Sequence, residues 1–123
     1  MTQEDRQILL KDLSSRLPYG VRYRRFAWDD KREEECISAK IYSISPDGYV
    51  RNYHEDESDY IDNVRPYLFP LSSITKKRLE ELSEYIDIKN AYVAVDLLNY
   101  HHLDYRGLIE KGLAIDATGL NIY

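Results

Sequence analysis

The four residues Ser45-Pro46-Asp47-Gly48 constrain this chain more than any other stretch, because they specify a reversal of direction. Proline presets the backbone angle at the second turn position, and glycine accepts the positive φ that closes such a turn. Before the turn, Ile37, Ala39 and Ile41 alternate with Ser38, Lys40 and Tyr42, which predicts a strand over 36–45 with one buried face. After it, residues 49–54 return as the partner strand. An all-helical fold would contradict this reading.

The remaining segments arrange themselves around this hairpin. Thr2 with Asp5 three residues later resembles a helix-starting box. Leu10, Leu13 and Leu17 follow at helical spacing, with Arg6, Lys11, Asp12 and Ser15 elsewhere around the wheel. The spacing predicts a helix over 3–16, ended by Leu17-Pro18 and the turn Tyr19-Gly20. Residues 21–26 favour a strand, 28–35 a charged loop and 54–62 an acidic loop. Pro66 and Pro70 make 63–71 an edge strand or an ordered connector rather than a central strand.

Ser72, Ser73 and Thr75 offer caps for a helix through Ile86, with Leu79, Leu82 and Ile86 as its apolar stripe. Residues 87–90 break it. Residues 91–103 are expected to be helical, with Val93, Leu97 and His101 on one face and Ala94 and Leu98 on another; 91–95 would also suit a strand. Gly107 and Gly112 divide the rest into short turns before an irregular tail. The expected fold class is α+β: an N-terminal helix, a small antiparallel sheet with a Pro-Asp-Gly hairpin, and a helical C-terminal half.

Length and composition suit one domain over 1–123, since 43% of residues are apolar and 32% charged. The net charge of −5 argues against a nucleic-acid binder that relies on overall charge. Cys36 is the lone cysteine, so no internal disulfide can form, and in its strand pattern it reads as a small apolar residue. The first residues are polar and acidic, unlike a secretory signal, and no apolar run reaches membrane-span length. The expected location is the cytoplasm, away from the membrane.

Candidate sites are few. The acidic run 54–59 lacks the spacing of a calcium loop and reads as a solvated connector. His101, His102 and Asp104 carry the ingredients of acid–base or zinc chemistry, with Arg106 beside them as part of one polar cluster. Adjacent helical residues point about 100° apart, however, so the two histidines would not chelate one ion from a helix. Arg22, Arg24 and Arg25 interleave with Tyr23 and Phe26, a pattern single-stranded nucleic-acid sites use. On a strand, Arg22 and Arg24 share a face that Arg25 opposes, so cross-strand charge pairing is the plainer account. No glycine-rich phosphate loop, Ser-His-Asp set or CxxC is present, and neither a cofactor nor a metal ion is expected.

Three stretches carry a family resemblance: Leu17-Pro18-Tyr19-Gly20, the run from Val64-Arg65-Pro66-Tyr67 to Thr75, and Asp104-Tyr105-Arg106-Gly107-Leu108-Ile109-Glu110-Lys111-Gly112-Leu113-Ala114. In these the chain resembles short uncharacterised proteins of gut Bacteroides and their relatives, whose genes commonly lie in phage-like or other mobile regions. The resemblance implies origin and carries no activity with it. Physically, the last stretch reads as a closure: Gly107 turns, Leu108 and Ile109 dock on the core, and Arg106 pairs with an acid.

Tyrosine is the compositional outlier, with 12 residues against 2 Phe and 1 Trp. Its large amphipathic ring suits half-buried sheet faces and contact surfaces alike. With no catalytic motif present, the leading expectation is a non-enzymatic binding or accessory protein that meets a protein partner through tyrosine. The alternative is a nucleic-acid-associated protein using Arg22, Tyr23, Arg24 and Arg25. A metal-dependent or acid–base enzyme around His101 and His102 comes third.

Overall fold

The computed structural model describes residues 1–25, 39–53, 58–85 and 91–123. The first helix, α1 (Gln3–Arg16), starts where the sequence places it, with the Thr2 hydroxyl accepting from the Asp5 N–H at 3.1 Å. It ends in a 3-10 turn over Leu17–Tyr19, closed by Gly20 in a left-handed conformation. Its buried side is not the expected leucine stripe alone. Leu9 and Leu13 are fully buried, and so are Asp12 and Arg16.

Strands β1 (Arg22–Arg25), β2 (Ala39–Ile44) and β3 (Tyr49–Asn52) lie antiparallel in sequence order. The β2–β3 turn is the predicted one. Gly48 donates to the Ser45 carbonyl at 3.1 Å and adopts φ 93°, where a Cβ would also press on the Tyr60 ring at 3.2 Å. The register slips between Ile41 and Ser43, so Tyr42 is the extra residue of a β-bulge. Phe26, the charged 28–35 segment, Cys36, Ile37 and Ser38 lie outside the described residues.

Several expectations need correction, among them that of a purely antiparallel sheet, since two of its pairings are parallel. The acidic 54–62 segment is not wholly a loop: β4 (Ser58–Tyr60) pairs with β3, and Ile61–Asn63 forms a 3-10 turn that buries Ile61. Its carboxylate Asp59 faces inward to partners waiting there. The Pro66–Pro70 segment is an interior strand, β5 (Val64–Pro70), antiparallel to β1. Ile41 donates to the Val21 carbonyl, so Val21 and Tyr23 turn their peptide groups to β2, and Arg22 and Arg24 turn theirs to β5. Tyr23 and Pro66 are therefore a non-hydrogen-bonded pair. Proline's missing donor falls where β1 requires none.

The second half is helical only in part. Helix α2 (Lys76–Tyr85) is capped by Thr75, whose hydroxyl accepts from the Arg78 N–H at 3.2 Å. Its expected end at Ile86 and the break at 87–90 lie outside the described residues. Helix α3 (Ala91–Tyr100) settles residues 91–95 as helix. After it the chain rejoins the sheet: β6 (Leu103–Asp104) and β7 (Ile115–Asp116) both pair parallel with β5. The tail is thus partly ordered into the sheet. The architecture is α+β with a mixed, seven-stranded sheet among the described residues, in the order β4-β3-β2-β1-β5-β6 with β7 also against β5.

The core forms on one sheet face. Leu9 and Leu13 of α1 pack with Tyr23, Ile41, Val50, Val64 and Leu68 of the strands, and Leu108, Leu113 and Ala114 close it from the tail. The closure expected of the last motif is present: Gly107 turns at φ 71°, Leu108 is fully buried, and Ile109 packs against the core. Arg106 meets Asp12 at 2.8 Å. Asp12 also holds Arg16 through two hydrogen bonds, and Arg16 donates to the Leu103 carbonyl at 2.6 Å. Both guanidinium groups lie over the Tyr105 ring.

One tyrosine completes the sheet. Beyond Tyr23–Pro66 the next rung would join Arg22 to Tyr67. There the Tyr123 hydroxyl accepts from the Arg22 N–H at 2.9 Å and donates to the Tyr67 carbonyl at 2.7 Å.

Candidate functional site

The Arg22–Arg25 strand divides between two faces, as alternation requires. Tyr23 is buried, and its hydroxyl donates to Asp59 at 2.6 Å while accepting from the Asn52 amide at 3.0 Å. Burial pushes that hydroxyl well above the usual tyrosine range, and the bond to Asp59 adds to the shift. Arg25 lies on the same side and pairs with Asp59. Neither Tyr23 nor Arg25 is thus presented to a nucleic acid. Arg22 and Arg24 occupy the other face, opposite Lys40 and Arg65 respectively.

The polar cluster near residue 101 also divides. His101 and His102 both line an open cleft of about 670 Å³, with Tyr19, Phe69, Arg78, Tyr100 and Tyr123 around them. His102 escapes the helical 100° constraint because it leaves α3 in a left-handed conformation, φ 57°. Asp104 turns away, its two carboxylate oxygens each accepting a backbone N–H, from Leu108 and Ile109, at 2.9 Å. Arg106 turns to Asp12. Among the described residues no three His, Cys, Asp or Glu side chains are grouped to hold a metal ion. The carboxylate that would complete an acid–base set is committed to closing a turn.

Both imidazoles are held toward neutrality. Burial, then the Arg16 charge and His101, lower His102 to about 4, and its ring stacks on Tyr123 at 3.6 Å. Burial and Arg78 lower His101, while Glu81 acts in the opposite direction. Burial pushes the Tyr123 hydroxyl up to about 12. Because the folded chain disfavours protonated His102, acid favours the unfolded chain. Stability should be full above the ordinary value of 6.5, fall as pH drops toward about 4, and gain no further loss from this group below that. Urea midpoints across this window should show the fall. His102→Asn, which tolerates the left-handed backbone, should flatten the slope; identical slopes would refute the assignment.

A surface the sequence reading did not single out lies on the sheet face opposite α1. The β2 bulge sets Tyr42 edge-on to Tyr53, with ring centres 5.2 Å apart, and Tyr49 faces Tyr60 across β3 and β4 at 5.3 Å. Tyr42 and Tyr53 are 57% and 59% exposed, which sets them apart from the buried Tyr23 and Tyr67. The Lys40 ammonium sits over the Tyr53 ring at 5.3 Å, and Arg51 is exposed on the same face. Strand alternation placed Lys40 and Tyr42 on the face opposite Ile41, but the bulge at Tyr42 leaves no signal in the sequence.

Comparison with protein-family models, with curated proteins and with solved structures yields no match. Among the described residues, no helix is long and apolar enough to cross a membrane.

Proposed function

We propose that this chain is a non-enzymatic binding protein that takes a protein partner on the tyrosine-faced side of β2, β3 and β4. The observation that supports it most is the pairing of exposed Tyr42 with exposed Tyr53, beside exposed Tyr49, which leans on half-buried Tyr60. Rings already held against one another lose little freedom on binding, and tyrosine offers both apolar area and a hydroxyl. Such anchors recur as the energetic centres of protein interfaces. The resemblance to proteins of mobile regions implies an origin only and leaves the role and its chemistry to the surface.

A photo-crosslinking residue at position 42 tests this in the host cell. It should yield a discrete protein adduct that the same residue at exposed Lys111 does not. Against the purified partner, Tyr42→Ala with Tyr53→Ala should weaken binding by about tenfold or more. Equal adducts from both positions, or unchanged affinity, would remove the proposal.

A second reading rests on Lys40 and Arg51, which share this face with the tyrosines, and on Arg22 opposite Lys40. Cations beside stacked aromatics suit a single-stranded nucleic acid. Fluorescence anisotropy with a labelled single-stranded oligonucleotide should then show affinity that falls steeply with salt. Binding that is absent or indifferent to salt rules this reading out.

A further inference from the structure

The cleft beside His101 and His102 is a different site from the tyrosine face and carries its own chemistry. Its walls hold two runs of aromatic rings. Tyr19 meets Tyr100 edge-on at 6.2 Å, and Tyr100 meets His101 at 5.0 Å. Also in the lining, His102 stacks on Tyr123, which lies 6.0 Å from Phe69. Tyr100 remains 59% exposed despite its place in this wall. A cleft of about 670 Å³ is within the range that encloses a small organic ligand, and aromatic walls favour a flat ring.

Charges of both signs border the cleft: Arg78 is in its lining, while Asp96 accepts a hydrogen bond from Tyr19 and Glu81 acts on His101. Arg78 is the only Lys, Arg, Asp or Glu among the described lining residues, and it makes no ion pair with a described residue. It belongs to the first turn of α2, which reads Lys76-Lys77-Arg78 and contains no acid. Cations at a helix N-terminus oppose the dipole. An anion placed there would relieve both the dipole and the side-chain charges. Independently, His102 lines the cleft and its Nδ1 is buried without a hydrogen-bond partner.

We infer that this cleft binds a planar aromatic anion about the size of a mononucleotide, with its ring against the aromatic wall and its negative group at Arg78. A nucleoside monophosphate and a fused-ring aryl carboxylate share this chemistry. The proposal does not depend on the protein partner suggested above, and a protein that failed to find that partner would still bind such a ligand.

Amide NMR titrations of the full chain with adenosine 5′-monophosphate, 1-naphthoate, adenosine and inorganic phosphate test it. At least one aromatic anion should shift the His101, Leu103 and Gly119 amides with a Kd below about 1 mM. Adenosine and phosphate alone should bind at least about tenfold more weakly. A stronger response to the nucleotide assigns the site to phosphate-bearing ligands; a stronger response to naphthoate assigns it to carboxylates. Arg78→Gln, at an exposed position, should abolish the preference for the anions, while Tyr100→Ala should weaken every aromatic probe. No shift from either anion at about 10 mM, or an unchanged preference in Arg78→Gln, would overturn the inference.

Discussion

Asp12→Ala is expected to lower the unfolding free energy by about 3–5 kcal/mol, because it strands a buried guanidinium. Asp12 and Arg16 are both fully buried, joined by hydrogen bonds of 2.8 and 3.1 Å. Alanine at position 12 leaves Arg16 with the Leu103 carbonyl as its hydrogen-bonding acceptor and removes the acid that also holds Arg106. A typical domain has only about 5–15 kcal/mol in total, so much of the folded population would be lost at moderate urea. Arg106→Ala should cost less, since Arg106 is partly solvated and the Asp12–Arg16 pair survives it. Asp12→Leu with Arg16→Met should recover most of the loss, because an apolar pair avoids desolvating two charges. Urea denaturation reads all three variants. A change below about 1 kcal/mol in Asp12→Ala would mean that Arg16 is rehydrated, and the buried-charge account would fail.

Leu68→Ala should cost about 2–5 kcal/mol, the range for truncating a large aliphatic side chain within a packed core. Leu68 is fully buried on β5, whose neighbours are β1, β6 and β7. Were this segment an edge or a connector, the same truncation would cost far less. The companion variant Pro66→Ala should cost about 1–3 kcal/mol, since Pro66 is buried and alanine adds an N–H that β1 does not engage. Denaturant midpoints for the pair separate the alternatives: a small loss at Leu68 would return β5 to the periphery of the fold.

The features legible in the sequence were those set by local chemistry. The Thr2 cap, the Pro18 stop and the Ser45–Gly48 turn each depend on a few adjacent residues, and each stands where it was expected. What stayed hidden depended on pairing across the chain. Pro66 argued against a central strand until the peptide directions of β1 were known. Asp12 was placed away from the leucine stripe, yet it is buried, because Arg16 beside it makes the charge tolerable inside. Leu103-Asp104 and Ile115-Asp116 are too short to announce themselves as strands without β5 beside them.

The candidate site was legible only in pieces. His101 and His102 were singled out for a chemistry that needs Asp104, whose carboxylate proves to be engaged by two backbone amides. Their cleft is instead assembled from Tyr19, Phe69, Arg78 and Tyr123, which are scattered along the chain and meet only through the fold. Composition marked the tyrosine excess but could not separate Tyr23, bound to Asp59 and Asn52, from Tyr42 and Tyr53 on the surface.

The position of Tyr123 ties two parts of the molecule mechanically. One end of the ring stands in for a missing link between neighbouring strands, while its flat side is a wall of the cleft. A guest that displaced this side chain would also unfasten Arg22 from Tyr67. Accommodation in the cleft is therefore bounded by the cohesion of the sheet's middle, and ligands that leave the His102–Tyr123 stack undisturbed are the ones this design admits.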